Sequence, residues 1–280
     1  MESVRRAAPL RLVILDMDGV LYRGDQPIPG APELLRNLHA VRLLVRYATN
    51  NSMFTRAAYA ERLAGMGIPA LPDEIVTSTS ATIEHLARHA PEVRSVLAVG
   101  AAGMVSELRE AGYAVLPIGE APPDRPAAVD AVLVGLDPAF DDGRLATAVA
   151  AVRAGARLIA TNADARYPTP TGFRPGAGAM VAAIADGSGF EPLVIGKPQP
   201  AMFGAVLESV GVAPAEALVV GDNPDSDIAS AHRSGIESVL VLTGVTDAAA
   251  ADALDGERRP DHVAVDAAAV WEIVEARLAG

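Results

Sequence analysis

Along the chain, short apolar runs that end in polar residues alternate with alanine-rich segments whose apolar positions recur at helical spacing. Residues 10–16, 42–48, 193–197, 217–222, 237–243 and 262–266 read as strands of one core sheet. Helices are predicted over 31–40, 55–66, 201–210 and 225–234, with Gly65, Gly67, Gly211 and Gly235 where C-terminal caps fall. This alternation is the pattern of a parallel sheet covered by helices. Between Thr49 and Lys197 lie far more residues than the roughly 30 of one strand-helix-strand unit, which predicts an inserted module. That insert has its own alternation, with strands at 95–99, 131–136 and 157–161 and helices at 82–89, 103–111, 142–154 and 178–185. The expected fold class is therefore α/β, a Rossmann-like doubly wound parallel sheet formed by 1–79 and 188–280 with a second α/β domain inserted at 80–187. Residues 1–9 read as a frayed tail, 121–126 as a loop, and 162–174 as a long loop that Pro168, Pro170 and Gly172 keep from becoming helix.

Composition narrows the function. The 280 residues suffice for a large core and two domains. Half are hydrophobic, yet charges break every long apolar stretch, so no membrane span is expected. No cysteine is present, which excludes disulfides, thiolate metal sites and thiol catalysis and fits a cytoplasmic location. A formal net charge of -12 argues against nucleic acid or anionic membrane as partner. A small phosphorylated molecule would meet the same repulsion and would need a metal ion and local cationic donors at its site.

Four strand ends carry such groups. The first run leads into Asp16-Met17-Asp18-Gly19-Val20, the second into Thr49-Asn50-Asn51-Ser52, the third into Gly196-Lys197-Pro198, and the fourth into Gly221-Asp222-Asn223-Pro224-Asp225-Ser226-Asp227. Open α/β sheets bind ligands beyond the carboxyl ends of their strands, so neighbouring parallel runs would gather two acidic pairs, a hydroxyl, amides and a lysine in one crevice. Plainer readings stand beside this one. Asp16 and Asp18 can cap a turn, Thr49 can cap a helix, and Lys197 can sit in an exposed loop. Asp222 and Asp227 fit a calcium loop poorly, because Pro224 occupies a ligand position and the glycine and terminal glutamate are missing. Gly176-Ala177-Gly178 lacks the leading strand and third glycine of a dinucleotide site. His85 and His89 are four apart on a predicted helix, but without a third ligand they read as a solvated face.

With these motifs assembled in order, nearly the whole chain resembles the haloacid-dehalogenase-like phosphatases, within them the NagD-like, 4-nitrophenylphosphatase branch with a type IIA cap. Residues 16–24 resemble the first motif and Pro27-Ile28-Pro29-Gly30-Ala31 the sequence that follows it in this branch; Thr49 to Ser52, Gly196 to Pro198 and Gly221 to Ile228 resemble the other three. Ala160-Thr161-Asn162-Ala163-Asp164 and Arg174-Pro175-Gly176-Ala177-Gly178 are similar to a signature of its cap. Asn223-Pro224 departs from the basic or aliphatic residue of many relatives, which bears on the local loop shape.

The resemblance implies a Mg²⁺-dependent phosphatase of small phosphate monoesters (polyol, sugar or related metabolite phosphates, and p-nitrophenyl phosphate in vitro). Asp16 would attack phosphorus to give a phospho-aspartyl intermediate, and Asp18 would protonate the leaving alcohol and then deprotonate water. The metal would take Asp16, the Asp18 carbonyl and Asp222, with Asp227 supporting; Thr49 and Lys197 would hold phosphoryl oxygens. Gly19, Asn50, Asn51, Asn162 and Asp164 would serve substrate binding, with Arg166, Tyr167, Phe173 and Arg174 near the leaving group. A phosphotransferase or mutase using the same phospho-enzyme, a nucleotide or pyridoxal phosphate phosphatase, and a non-catalytic phosphometabolite-binding protein are the alternatives. A homodimer is compatible with the branch.

Overall fold

The structure, a computed structural model, describes residues 8–122, 126–169 and 172–279. The expected tail up to residue 7, the middle of the 121–126 loop and Pro170 lie outside the described residues. The chain folds as two compact units, one made of Met1–Thr49, Ala60–Ile75 and Lys197–Gly280, the other of Asn50–Tyr59 and Val76–Gly196.

The first unit is built on a six-stranded sheet in the order His262–Ala264, Glu237–Val241, Ala217–Gly221, Leu12–Asp16, Leu44–Thr49, Ile75–Thr77. Leu12–Asp16 lies at its centre, parallel to Ala217–Gly221 on one side and to Leu44–Thr49 on the other. Strands buried on both faces need continuous rather than alternating apolar side chains, and Leu12, Val13, Ile14 and Leu15 are all fully buried. The helix Ala31–Ala40 buries Leu34, Leu35 and Leu38 and packs against the C-terminal helix Ala267–Ala279. The expected helices 31–40 and 201–210 appear as Ala31–Ala40 and Ala201–Val210. Gly67, Gly211 and Gly235 adopt left-handed φ values of 75°, 63° and 67° past their helices, whereas Gly65 is still helical.

Two expectations for this unit are corrected. The run 193–197 does not join the core sheet: Leu193–Val194 pairs with Arg157–Ala160 at the edge of the second unit's sheet. Two residues are too few to show a period, so its apolar character could not say which sheet it joins. The predicted helix 225–234 is a π-turn, Pro224–Ile228, followed by a short α-helix, Ala229–Arg233. Asn223 accepts the Asp225 N–H at 3.0 Å and Pro224 takes the first turn, where no backbone donor is needed.

The second unit holds a parallel five-stranded sheet in the order Leu193–Val194, Arg157–Ala160, Ala131–Val134, Ser95–Val99, Ala114–Pro117. Its helices Asp142–Arg153 and Ala177–Ser188 pack on each other over a core that includes Val132, Val134, Ala148, Val152 and Ile184. The 162–174 segment, expected as loop, contains an antiparallel hairpin, Arg166–Thr169 with Gly172–Pro175. Prolines at 168 and 175 obscured it, since proline is tolerated at an unpaired strand edge. The helix expected at 82–89 starts earlier, as Ser78–His89, because Thr77 and Ser80 form a reciprocal capping box. No helix among the described residues is long and apolar enough to cross a membrane.

Glu107 ties this unit together from inside. It is 4% exposed, and its carboxylate accepts the Arg56 N–H at 2.8 Å, Arg56 Nε at 3.3 Å and the Thr77 hydroxyl at 3.2 Å. Removing it takes the acceptor from the buried Thr77 hydroxyl, which costs more than a net hydrogen bond contributes. Glu107→Ala is expected to lower unfolding free energy by about 2–4 kcal/mol, against less than about 0.5 kcal/mol for the exposed Glu120→Ala. Urea unfolding measures both, and equal midpoints for the two variants would contradict this account.

Candidate active site

At the carboxyl end of the core sheet, Asp16 stands opposite Ala48 in register and Thr49 is the next residue of that neighbouring strand. Asp222 directly follows the strand on the other side. The parallel registry therefore places the ends of three motifs, the first, second and fourth, beside one another. Lys197 joins them: its ammonium, 2% exposed as a residue, donates to Asp16 Oδ1 at 2.5 Å, to Asp227 Oδ1 at 2.6 Å and to the Ala48 carbonyl at 3.3 Å. Of the expected site residues, Asp16, Asp18, Gly19, Thr49, Lys197, Asp222 and Asp227 are gathered in this unit.

Backbone geometry explains the spacing of the first motif. Gly19 has φ 81°, and a Cβ there would run into the Asp222 carboxylate and the Gly244 backbone. The Gly19 carbonyl accepts the Thr243 hydroxyl at 2.6 Å, which pins the turn. Asp222 Oδ2 accepts the Val245 N–H at 2.7 Å, while Asp227 Oδ2 accepts the Asn223 N–H at 3.1 Å. Each carboxylate is thus aimed by a backbone donor, and glycines 19, 221 and 244 leave the room that the acidic groups occupy.

The electrostatics are dominated by burial. It raises the Asp16 carboxyl well above the ordinary range; the Lys197 charge opposes the shift and Asp227 and Asp222 add to it. Asp222 is pushed up to about 7 by burial and by Asp227. Burial also raises Asp18, against the opposing charge of Arg62, whose guanidinium lies 4.6 Å from the centre of the Tyr22 ring. Lys197 is held protonated: burial disfavours its charge, but Asp16 and Asp227 more than reverse that.

Oxygens of Asp16, Asp222 and Asp227 lie within 4.8 Å of one another, the one group of three potential metal ligands among the described residues. An all-oxygen donor set of crowded carboxyls fits a hard divalent cation such as Mg²⁺, whose charge would relieve the repulsion. Both Asp227 oxygens are engaged, by Lys197 and by the Asn223 amide, whereas Lys197 takes Asp16 Oδ1 and the Val245 amide takes Asp222 Oδ2, so Asp16 and Asp222 are the carboxylates better disposed to a metal. The His85 and His89 rings lie with centroids 4.7 Å apart at a tilt of 43° and belong to no such group.

Asn50, Asn51, Asn162 and Asp164 belong to the second unit, where three of them form a network that sequence reasoning did not foresee. Asn50 Nδ2 donates to Asp164 Oδ1 at 2.9 Å, and the Asn50 carbonyl accepts Asn162 Nδ2 and the Ser78 hydroxyl, both at 2.7 Å. Asn162 Oδ1 in turn accepts the Asp164 N–H at 3.1 Å. Ser78 carried no readable signal, being one of several hydroxyl residues in a row. Gly176 and Gly178 admit the backbone of Ala163 and Asp164, whose carbonyl oxygens a Cβ would strike; this is their packing role, in place of a dinucleotide site.

Known proteins share this chain's sequence and fold. A family model described as haloacid dehalogenase-like hydrolase matches residues 13–114, and a second, described as HAD-hydrolase-like, matches 194–270. An acid sugar phosphatase of Staphylococcus epidermidis is 35% identical over 83% of this chain and 86% of its own. The solved 4-nitrophenylphosphatase of Thermotoga maritima superposes with a TM-score of 0.86 at 30% identity, covering 95% of this chain and 97% of that one. A glycerol phosphate phosphatase of Mycobacterium tuberculosis, solved in complex with magnesium and also with calcium, gives a TM-score of 0.82 at 34% identity; the magnesium complex aligns over 94% of this chain and 77% of its own.

Asp222 is an acid whose folded value, about 7, exceeds its unfolded value of about 4. With metal chelated, the folded state holds a proton that the unfolded state has lost, so this group's contribution to stability falls as pH rises from about 4 to about 7. The melting temperature of the wild type relative to Asp222→Asn is therefore expected to drop across that window in EDTA and to stay flat in excess MgCl₂. A pH-independent difference in EDTA would refute the assignment.

Proposed function

Because the chain belongs to the haloacid dehalogenase-like hydrolases and is a phosphoric monoester hydrolase, we propose that it cleaves small polyol or sugar phosphates in a Mg²⁺-dependent reaction through a phospho-aspartyl intermediate on Asp16. The observation that carries this reading is the buried Lys197 bridging Asp16 and Asp227 beside Asp222. A lysine so placed lies within reach of both the nucleophile and an oxygen of the group being transferred.

In this reading the Asp16 carboxylate attacks phosphorus and the alcohol leaves, so a hard displacement is split into two easier ones. Asp18, whose carboxyl burial holds protonated to higher pH than usual, gives its proton to the departing oxygen and later takes one from the water that cleaves the acyl phosphate. Lys197 and the Thr49 hydroxyl hold phosphoryl oxygens. Asp16, the Asp18 carbonyl and Asp222 are the groups that would hold Mg²⁺, with Asp227 orienting Lys197. Bound there, the cation supplies the positive charge that lets a carboxylate approach a phosphate dianion. The preference for polyol or sugar phosphates draws on the acid sugar phosphatase and glycerol phosphate phosphatase relatives.

Phosphate release from p-nitrophenyl phosphate, glycerol phosphate and a set of sugar phosphates tests this. Asp16→Asn is expected to fall to background and Asp18→Ala to lose roughly 10²–10⁴-fold in kcat. Chelation should abolish turnover, with Mg²⁺ restoring it. Undiminished turnover in Asp16→Asn removes that residue as nucleophile, and transfer to added glycerol in place of phosphate release marks a phosphotransferase.

A further inference from the structure

Three residues at intervals of three, Asp227, Ser230 and Arg233, all grip the segment that carries Lys197. Asp227 accepts the Lys197 ammonium at 2.6 Å, the fully buried Ser230 hydroxyl donates to the Gln199 carbonyl at 3.1 Å, and Arg233 Nη1 donates to the Pro198 carbonyl at 3.3 Å. The π-turn Pro224–Ile228 running into the helix Ala229–Arg233 aligns the three on one side. Arg233 is itself held by Glu257, through Nε to Oε2 at 2.9 Å and Nη2 to Oε1 at 2.5 Å. We propose that Ser230 and Arg233, the latter locked by Glu257, are positioning residues that set the Lys197 backbone so that its ammonium reaches the reacting phosphoryl group.

The Lys197 side chain is long, and its ammonium must stay within hydrogen-bonding distance of Asp16 while also meeting substrate. Asp227 fixes only the tip, whereas carbonyl contacts at the next two residues fix the base. The Arg233–Glu257 pair is partly exposed, with side chains 33% and 43% accessible, and such pairs contribute little to folding. Its two-point geometry instead holds the guanidinium plane and so aims the remaining nitrogen at Pro198. A displacement of Lys197 by a fraction of an ångström should weaken phosphate binding, because fixed donors act only from the right place.

This inference rests on the proposed role of Lys197 and is tested alongside it. Steady-state kinetics with p-nitrophenyl phosphate, and competitive inhibition by inorganic phosphate, would be measured for Ser230→Ala, Arg233→Met, Arg233→Lys and Lys197→Ala at saturating Mg²⁺. Ser230→Ala and Arg233→Met are expected to raise both KM and the phosphate inhibition constant about three- to tenfold, with Arg233→Lys recovering part of the loss. Ser230→Ala changes no charge, so a parallel effect there separates positioning from long-range attraction. A fall in kcat with KM and the inhibition constant unchanged means fewer folded enzymes and overturns the proposal. So does wild-type behaviour of both variants while Lys197→Ala loses phosphate affinity. If Lys197→Ala binds phosphate normally, the role of Lys197 fails and this inference falls with it.

Discussion

A lysine ammonium buried between two carboxylates is the constraint from which the rest of the first unit follows. Removing one partner of such a cluster leaves an uncompensated charge in the interior, at a cost of about 3–5 kcal/mol. The cluster can persist only if its parts are supplied by rigid elements, and they are: Asp16 ends the central strand, Asp227 sits in a capped π-turn, and Lys197 leads into the helix Ala201–Val210. One ammonium does not balance three crowded carboxyls, and Asp16 and Asp222 are raised first by burial and further by their acidic neighbours. A divalent cation bound among them would offset that excess and so admit an anionic phosphoryl group.

The second unit answers a different requirement. Asn50 begins it, one residue after Thr49 ends the neighbouring core strand, and its backbone carbonyl and side-chain amide are both spoken for by Ser78, Asn162 and Asp164. A buried polar network of this kind rigidifies only when its members are satisfied. Glu107 does the same for Arg56 and Thr77 a few residues on. The segment after the second motif is therefore held by hydrogen bonds that span from 28 to 114 residues of sequence.

How much was readable depended on whether the signal was local. Most of the helices and strands announced themselves by periodicity, but the C-terminal helix Ala267–Ala279 and the strands Ile75–Thr77 and Ala114–Pro117 were not expected. The hairpin at Arg166–Pro175 was hidden by its prolines, and Leu193–Val194 was assigned to the wrong sheet because two apolar residues suit either. Ser230, Arg233 and Ser78 gave no sign of their roles, since a hydroxyl or guanidinium that binds a distant carbonyl looks like any other surface residue.

From the residues alone came the α/β alternation, the insertion, and four strand ends bearing carboxylate, hydroxyl and ammonium groups, because helical and strand periods and turn-forming glycines are local properties of the chain. Only the tertiary structure decided that parallel registry brings Asp16, Thr49 and Asp222 side by side, that Lys197 chooses Asp16 and Asp227 as partners, and that Asn50 is clamped by Asp164. Those choices depend on distances between elements far apart in sequence, and distance through space is set by packing, which no local pattern encodes.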